Sequence, residues 1–227
     1  MYVTGYTKSP DFPAAGALQP RFGGAMDAFL TKLDPSGFAL VYSSYLGGKG
    51  MDEGMRVAVA ASAEAIVAGT TTSADFPVMN DAQANFGGGF SDAFVARFSE
   101  AGSALLYSTF LGGNQLDGGT GLAVDSSGHV YLLGITQSTN FPTLNAIQPT
   151  QGGGSIDAFL VKLDVSGSEL AYSTYLGGSG SSCRRASLWI QPETPTSPAP
   201  LLQRISRSPT HCSRHTGAVS WMPSSRS

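Results

Sequence analysis

The stretch DAFLVKLDVSGSELAYSTYLGG, residues 157–178, decides the fold of this chain. Apolar and polar side chains alternate along its first part through Phe159, Val161 and Leu163, and they alternate again along its second part. Alternation with a period of two places successive side chains on opposite faces of an extended strand. The Val-Ser-Gly segment between the two parts has the composition of a tight turn. The stretch therefore predicts two antiparallel strands joined by a hairpin.

The same pattern occurs three times at a spacing of 65 residues. The phrase DAF begins at residues 27, 92 and 157, and the phrases YSSYLGG, YSTFLGG and YSTYLGG begin at residues 42, 107 and 172. In the most complete copy, two further β-rich runs precede DAF, namely GLAVD at 121–125 and HVYLLGIT at 129–136. Each copy thus predicts four antiparallel strands. Four-stranded units repeated at a fixed period are typical of a β-propeller, so we predict an all-β fold of propeller blades.

Two complete blades and one partial blade are predicted. Residues 1–46 form the partial blade, and residues 47–111 and 112–180 form the next two. The chain begins with YVTG at residues 2–5, which matches the second strand of a blade at residues 67–69, so the first strand of its own blade is missing. Propellers typically close with 4–8 blades, and we therefore expect an incomplete propeller, a fragment of a longer protein. Uncovered sheet faces lead us to expect self-association through the exposed blade faces.

The repeat stops after the third copy. A fourth copy requires Val-Asp near residues 189–190, but the chain reads LWIQPETPTSPAP from Leu188 onward. Read from the third base of the Leu188 codon, the possible codons can encode VDSAGNAYVTGT, which parallels VDSSGHVYLLGI from Val124. The Asp codons that this frame forces across Trp189–Ile190 and Trp221–Met222 fall where the repeat requires them. We expect residues 181–227 to be an out-of-frame and disordered tail, the result of a frameshift.

The charges of the chain divide at the same place. Residues 1–182 carry 7 Lys or Arg and 15 Asp or Glu, a net charge of −8, whereas residues 183–227 carry a net charge of +5 and both Cys residues. Because the basic part coincides with the shifted frame, its charge and thiols carry no functional weight. The acidic repeats are not typical of a nucleic-acid-binding protein. No apolar run approaches the roughly 18 residues of a membrane span, and no signal peptide is visible in this chain.

The phrases DAFLTKLDPSGFALVYSSYLGG, AVDSSGHVYLLGITQSTNFP and DAFLVKLDVSGSELAYSTYLGGSG resemble the bacterial SBBP β-propeller repeat. The resemblance covers roughly residues 1–180 and extends to the order and spacing of the phrases. It implies propellers in secreted or surface-exposed bacterial proteins, often beside adhesion-type modules. It attaches no catalytic residue to the repeat. An extracellular or cell-surface location is therefore an expectation from the resemblance.

Recurrent carboxylates are the strongest site candidates. Asp27, Asp92 and Asp157 begin the third strand of their repeats, and Asp52 and Asp117 follow the Leu-Gly-Gly turn. Several oxygen ligands are what Ca²⁺ prefers, although no dense D-x-D-x-D-G run is present. Hydrogen bonding at turns and strand ends is the favoured interpretation.

A further carboxylate, Asp125, precedes the turn residues Ser126, Ser127 and Gly128, and it is a candidate for half of a cation loop. Asp52, Asp117 and Asp125 are thus weak metal candidates, and a hairpin turn is the favoured role of Asp125. His129 has no recurring Ser or Cys partner that would suggest a triad. We expect no catalytic residue and no cofactor.

The function predicted from these observations is that of a non-catalytic scaffold or binding module. Its ligand, an unknown protein or carbohydrate, is not specified by any motif. One alternative is a fragment of a propeller enzyme, a lyase or hydrolase, whose active site requires residues from the missing blades. The other alternative is a decayed gene product without function.

Overall fold

The computed structural model of the chain describes residues 1–180, and the out-of-frame tail expected over residues 181–227 lies outside the described residues. The described part contains strands, turns and loops but no helix, which confirms the all-β prediction. It accordingly contains no helix long and apolar enough to cross a membrane.

The strands form three antiparallel sheets in chain order. The first sheet contains β1 (Tyr2–Thr7), β2 (Asp27–Leu33) and β3 (Leu40–Leu46). The second contains β4 (Asp52–Val59), β5 (Ala65–Thr71), β6 (Asp92–Phe98) and β7 (Leu105–Leu111). The third contains β8 (Asp117–Val124), β9 (Val130–Thr136), β10 (Asp157–Leu163) and β11 (Leu170–Leu176). The predicted four-stranded antiparallel units are therefore confirmed, and the first sheet has three strands.

The first strand of each complete sheet is longer than the sequence indicated. GLAVD predicted a strand from Gly121, whereas β8 begins at Asp117. The pairing with β9 continues through a register shift between Gly119 and Gly121, and β4 has the equivalent shift. Bulges of this kind insert one unpaired residue and bend the strand. The glycines before the shift resemble a turn in sequence but belong to the strand.

The three sheets are held together by two apolar cores. One core combines side chains of the first sheet, such as Leu30 and Tyr42, with Val67, Phe94 and Phe110 of the second. The other core combines the opposite face of the second sheet with the third sheet. The middle sheet is thus buried on both faces, and every residue of its strand β6 is buried. Removal of apolar surface from water is the main force that joins the sheets.

The aromatic residues of the fourth strands mostly pack as expected, between sheets. Tyr42, Tyr107, Phe110 and Tyr175 are buried members of the two cores. Tyr45 is also buried, but its ring packs beside Phe12 and Phe22 of its own sheet's long loop rather than against another sheet. Tyr172 is only half-buried.

A tyrosine–glycine contact joins the first sheet to the second, and an equivalent contact joins the second sheet to the third. Gly102, in the β6–β7 turn, lies directly over the ring of Tyr42, and Gly167, in the β10–β11 turn, lies over the ring of Tyr107. Both glycines have positive φ, and a Cβ at either position would overlap the ring below it. The third sheet offers the same position at Tyr172, where no described residue provides the covering turn.

The phenol of Tyr175 gives a first testable prediction. Its hydroxyl accepts a hydrogen bond from the Phe141 N–H at 2.9 Å and donates one to the Ser138 carbonyl at 2.8 Å. Tyr175→Phe leaves the Phe141 N–H unpaired and leaves the Ser138 carbonyl with only the Thr136 hydroxyl at 3.4 Å, so it is expected to lower the free energy of unfolding by about 1–3 kcal/mol. Chemical denaturation measures the change.

The control for Tyr175→Phe is a substitution at the equivalent position of the second repeat, which already carries Phe110. Phe110→Leu changes packing but removes no hydroxyl, so it calibrates the cost of altering this site. A Tyr175→Phe variant as stable as the parent would contradict the assigned pair of hydrogen bonds.

Candidate functional site

Buried aspartates line both joints between the sheets. At the first joint Asp27 begins β2 and Asp52 begins β4, and at the second joint Asp92 begins β6 and Asp117 begins β8. All four side chains are fully buried. Each joint thus brings together one carboxyl from the third strand of one repeat and one from the first strand of the next. Of the weak metal candidates, Asp52 and Asp117 lie in these pairs.

The Asp on the first strand of each complete sheet is tightly hydrogen-bonded. Asp52 accepts hydrogen bonds from the Gly48 N–H at 2.8 Å, from the Ser73 hydroxyl at 2.8 Å and from the Thr71 hydroxyl. Asp117 accepts the equivalent bonds from the Gly113 N–H at 2.7 Å and the Ser138 hydroxyl at 2.7 Å. These bonds tie the Leu-Gly-Gly turn to the following strand, which is the role that the sequence favoured.

The Asp on the third strand is only half-satisfied. One carboxylate oxygen, Oδ2, accepts a backbone N–H from the preceding glycine-rich loop at 2.6–2.7 Å in all three repeats. The other oxygen, Oδ1, is buried without a hydrogen-bond partner among the described residues at Asp27, Asp92 and Asp157, and the same holds for Oδ1 of the first-strand Asp117, whose two hydrogen bonds both go to Oδ2. Buried polar atoms without a partner are rare, and their recurrence here marks a feature of the repeat rather than an accident.

A glycine of the Leu-Gly-Gly turn separates the two carboxyls of each pair. A Cβ on Gly47 would come within 2.6 Å of Asp52 Oδ2 and 2.9 Å of Asp27 Oδ1. A Cβ on Gly112 would overlap the Asp92 carboxyl and would lie 3.0 Å from Asp117 Oδ2. Only a residue without a side chain fits between the two acids.

Burial disfavours the charged form of these acids. Burial raises the pKa of Asp92 to about 7, and the nearby Asp117 carboxylate adds to the increase. Burial likewise raises the pKa of Asp52, and the nearby Asp27 carboxylate raises it further. Burial also raises the pKa values of Asp27 and Asp117. Two carboxyls that approach each other in a dry joint hold a proton more tightly than either would alone in water.

The chemistry open to these pairs is proton binding rather than reaction with a substrate. All four acids are closed to solvent, so no substrate reaches them in this structure. The glycine backbone fills the space between the acids of each pair. Within residues 1–180, no group of three or more His, Cys, Asp and Glu side chains is arranged to hold a metal ion.

Asp125, the third weak candidate, lies in a saturated network. Its Oδ1 accepts the N–H groups of Ser127 at 3.0 Å and His129 at 2.9 Å. Its Oδ2 accepts the Tyr131 hydroxyl at 3.1 Å and lies 3.9 Å from Lys162 Nζ. The His129 Nδ1 lies 3.1 Å from the same oxygen. Asp125 thus stabilises its own turn, and the ammonium group of Lys162 already lies beside its carboxylate.

Calcium gives a second testable prediction at Asp125. Because the oxygens of Asp125 are already occupied and Lys162 lies beside them, adding millimolar Ca²⁺ or EDTA is expected to leave the melting temperature unchanged. Differential scanning fluorimetry measures this directly. A Ca²⁺-dependent rise that disappears in Asp125→Asn would contradict the assignment, and a rise that survives the substitution would place the ion elsewhere.

A cleft of about 590 Å³ opens between the second and third sheets. At this joint the buried Arg97 guanidinium contacts Glu64 through Nε at 2.8 Å and Nη2 at 2.6 Å. Its Nη1 donates to the carbonyls of Gly128 and Val165, both at 3.3 Å, and so bridges to the third sheet. Other lining residues include Asn80, Asp81, Ser62, Ser166 and Ser168. The sequence interpretation missed this cleft, because Glu64 has no acidic counterpart in the next repeat, although the position of Arg97 is basic in all three repeats, as Lys32, Arg97 and Lys162.

Comparison with known proteins does not assign the chain to a family. No model of a known protein family matches the chain, and no curated protein matches it.

Proposed function

We propose that residues 1–180 are a run of β-propeller blades of the SBBP type, and that they serve as a non-catalytic scaffold or binding module of a secreted or cell-surface protein. One observation carries the proposal. The same sheet-to-sheet joint is built twice, 65 residues apart, with the same buried acids, intervening glycine and tyrosine–glycine contact. A joint that repeats in sequence and in space is what a radial stack of blades requires.

The outer face of the third sheet supports further stacking. It carries the same features that hold the next sheet at the two earlier joints. Asp157 is buried with an unpaired Oδ1, as Asp27 and Asp92 are, but Tyr172 is only half-buried and no described turn covers it. A Cβ on Gly178 would meet nothing within 4 Å, whereas its counterpart Gly113 is crowded by Ser138. This face is suited to receive another blade of the same kind.

The first sheet supplies a complementary surface. Gly37, in its β2–β3 turn, matches the glycines that cover Tyr42 and Tyr107, and a Cβ there would meet nothing within 4 Å. Phe38 beside it is 95% exposed. Because the two faces are complementary but different, contact between two copies would be head-to-tail and would not close a symmetric dimer. Self-association through the exposed blade faces is therefore part of the proposal.

Sedimentation equilibrium of the full chain tests this part of the proposal. A mass that rises with protein concentration is expected, and Tyr172→Lys or Phe38→Lys should each reduce the rise. Tyr6→Lys is the matched control, because Tyr6 is 55% exposed but does not lie on the proposed contact face. It is on the same face of β1 as Tyr2, which packs toward the second sheet. A monomer at all concentrations would contradict self-association.

The frameshift is a separate part of the proposal and has its own test. The nucleotide sequence across the locus should encode Val-Asp from the third base of the Leu188 codon and a later Asp-Ala-Phe near residue 222. A gene that lacks these codons in the shifted frame would overturn the frameshift.

A further inference from the structure

Two acidic residues that line the cleft between the second and third sheets do not recur in the next repeat. Glu64 corresponds to His129 in the next copy, and Asp81 corresponds to Ala146. In a repeat protein, positions that recur are those that every blade needs for folding and stacking. Positions that differ between copies are free to carry a property of one blade alone. The acidic character of the cleft is therefore specific to this joint, to which the third sheet adds Val165, Ser166 and Ser168.

The guanidinium of Arg97 is not available to a ligand in this cleft. Its side chain is only 7% exposed, and its charge is matched by Glu64 at 2.6 Å. Its Nη1 is used by two backbone carbonyls of the third sheet. An anionic ligand would therefore find no free cation among the described residues that line the cleft.

Among the described residues that line the cleft, the charged side chain without a partner is acidic. Asp81 forms no hydrogen bond or ion pair with any described residue, and it is half-buried. Behind the lining residue Ser166 lies Asp164. Burial acts to raise its pKa, but hydrogen bonds from the Ser166 hydroxyl and from backbone N–H groups hold that pKa below its ordinary value. The unpartnered carboxyl of Asp81 and the nearby Asp164 favour a cationic ligand over an anionic one.

The side chains that line the cleft also suit a ligand with N–H donors better than they suit a sugar ring. Asn80 uses its amide N–H₂ on the Leu106 carbonyl at 2.9 Å, and the Ser166 and Ser168 hydroxyls are bonded to each other at 2.6 Å. Carbohydrate sites commonly need an open aromatic face, but the ring of Tyr107 is covered by Gly167. The cleft offers carboxylates and hydroxyl oxygens as acceptors, which suits a group with several N–H donors.

We propose that this cleft binds a basic side chain, Arg or Lys, presented by a peptide or protein partner. Asp81 supplies the unpaired charge. The Arg97–Glu64 ion pair lies beside it, and Arg97 links the second sheet to the third through its hydrogen bonds to the Gly128 and Val165 carbonyls. The proposal gives the binding-module function a ligand chemistry and rests on that function. Its failure would leave the sedimentation result for the blade faces untouched, so the two proposals fail separately.

Chemical-shift mapping on the ¹⁵N-labelled full chain tests the proposal. The probes are N-acetyl-arginine amide, N-acetyl-lysine amide, the neutral isostere N-acetyl-citrulline amide, and methyl glucoside as a sugar. The two cationic probes are expected to shift the amides of Asn80, Asp81 and Ser166 saturably, and the shifts should weaken as salt is raised. Asp81→Asn should raise the apparent Kd about three- to fivefold, the range of an exposed ion pair.

The matched control is Asp11→Asn, which removes the same charge from an exposed loop of the first sheet and should leave the Kd unchanged. Citrulline amide binding as tightly as arginine amide would overturn the proposal. So would saturable shifts of the cleft amides by methyl glucoside in place of the cations, shifts confined to other surfaces, or an unchanged Kd in Asp81→Asn.

Discussion

The free energy of unfolding of this protein is expected to fall by several kcal/mol as the pH rises from about 5 to about 9. Asp92 has a pKa of about 7 in the folded chain, because it is buried and faces Asp117, against an ordinary value of 3.8. Between these two values the folded state binds more protons than the unfolded state, so stability decreases with rising pH. The contribution of Asp92 is fully present below about pH 4 and is lost as the pH rises through 7.

The magnitude follows from the size of the shift. About three pKa units correspond to about 4 kcal/mol for Asp92 alone. Asp27, Asp52 and Asp117, whose pKa values are also raised by burial, act in the same direction. Asp34 and Asp75 have lowered pKa values because of hydrogen bonds from Ser36 and from the Lys49 backbone N–H. These two stabilise the fold above about pH 4, so maximum stability is expected near pH 4–5.

Urea denaturation of the parent and of Asp92→Asn between pH 4 and 9 measures this effect. Asn has nearly the same shape as a protonated Asp and does not ionise, so the part of the slope that comes from Asp92 should disappear, while the part from Asp27, Asp52 and Asp117 remains. Above pH 8 the variant should be the more stable of the two proteins. Asp11→Asn serves as the control for the loss of one exposed carboxylate. Parallel stability curves for the parent and Asp92→Asn would contradict a buried proton at this joint.

The substitution Gly112→Ala is expected to destabilise the chain by at least about 3 kcal/mol. The added Cβ would overlap the Asp92 carboxyl and would lie 3.0 Å from Asp117 Oδ2. Relief of the overlap requires one acid to move, and Asp92 and Asp117 both accept backbone N–H groups that would lose their partner. Overpacking and broken buried hydrogen bonds each cost about 1–3 kcal/mol. Thermal and chemical denaturation report the loss.

Gly178→Ala is the control for adding a methyl group to a Leu-Gly-Gly turn. Gly178 is the second glycine of this turn in the third repeat, the counterpart of Gly113 rather than of Gly112, and a Cβ there would meet nothing within 4 Å. It should change stability by less than about 1 kcal/mol, since Ala also restricts the unfolded chain. If Gly112→Ala were as mild as Gly178→Ala, the two acids would not approach each other across the glycine as described.

The sheets themselves could be predicted from the sequence because strand alternation and the period of 65 residues are local, repeated signals. The alternation of Phe159, Val161 and Leu163 predicts strand β10, and the same pattern predicts its counterparts in the other two sheets. The start of β8 was misplaced for a physical reason. Asp117, Gly118 and Gly119 have the composition of a turn, and only their pairing with β9 makes them part of a strand.

The joints could be predicted only in part. The recurrence of each acid was visible, and turn and strand-end hydrogen bonding was the favoured role. Strand patterns alone do not predict the pairing, because Asp92 lies in the third strand of one sheet and Asp117 in the first strand of the next. The constant separation of 25 residues between the acids of a pair, seen at Asp27 and Asp52 and again at Asp92 and Asp117, is the signal that could have revealed it. The basic position of Arg97 does recur, as Lys32 and Lys162, but Glu64 has no acidic counterpart, so the ion pair itself leaves no periodic signal.

The carboxyl titration of Asp92 tests the central claim most directly, namely that successive repeats are joined through pairs of buried acids. The ¹³Cγ resonance of Asp92 can be followed by NMR from pH 4 to pH 9, with Asp34 as the exposed reference. The structure predicts a midpoint near 7 for Asp92 and one below the ordinary value for Asp34. An Asp92 midpoint near 4 would show a hydrated, isolated carboxyl and would contradict the joint on which the stacked blades depend.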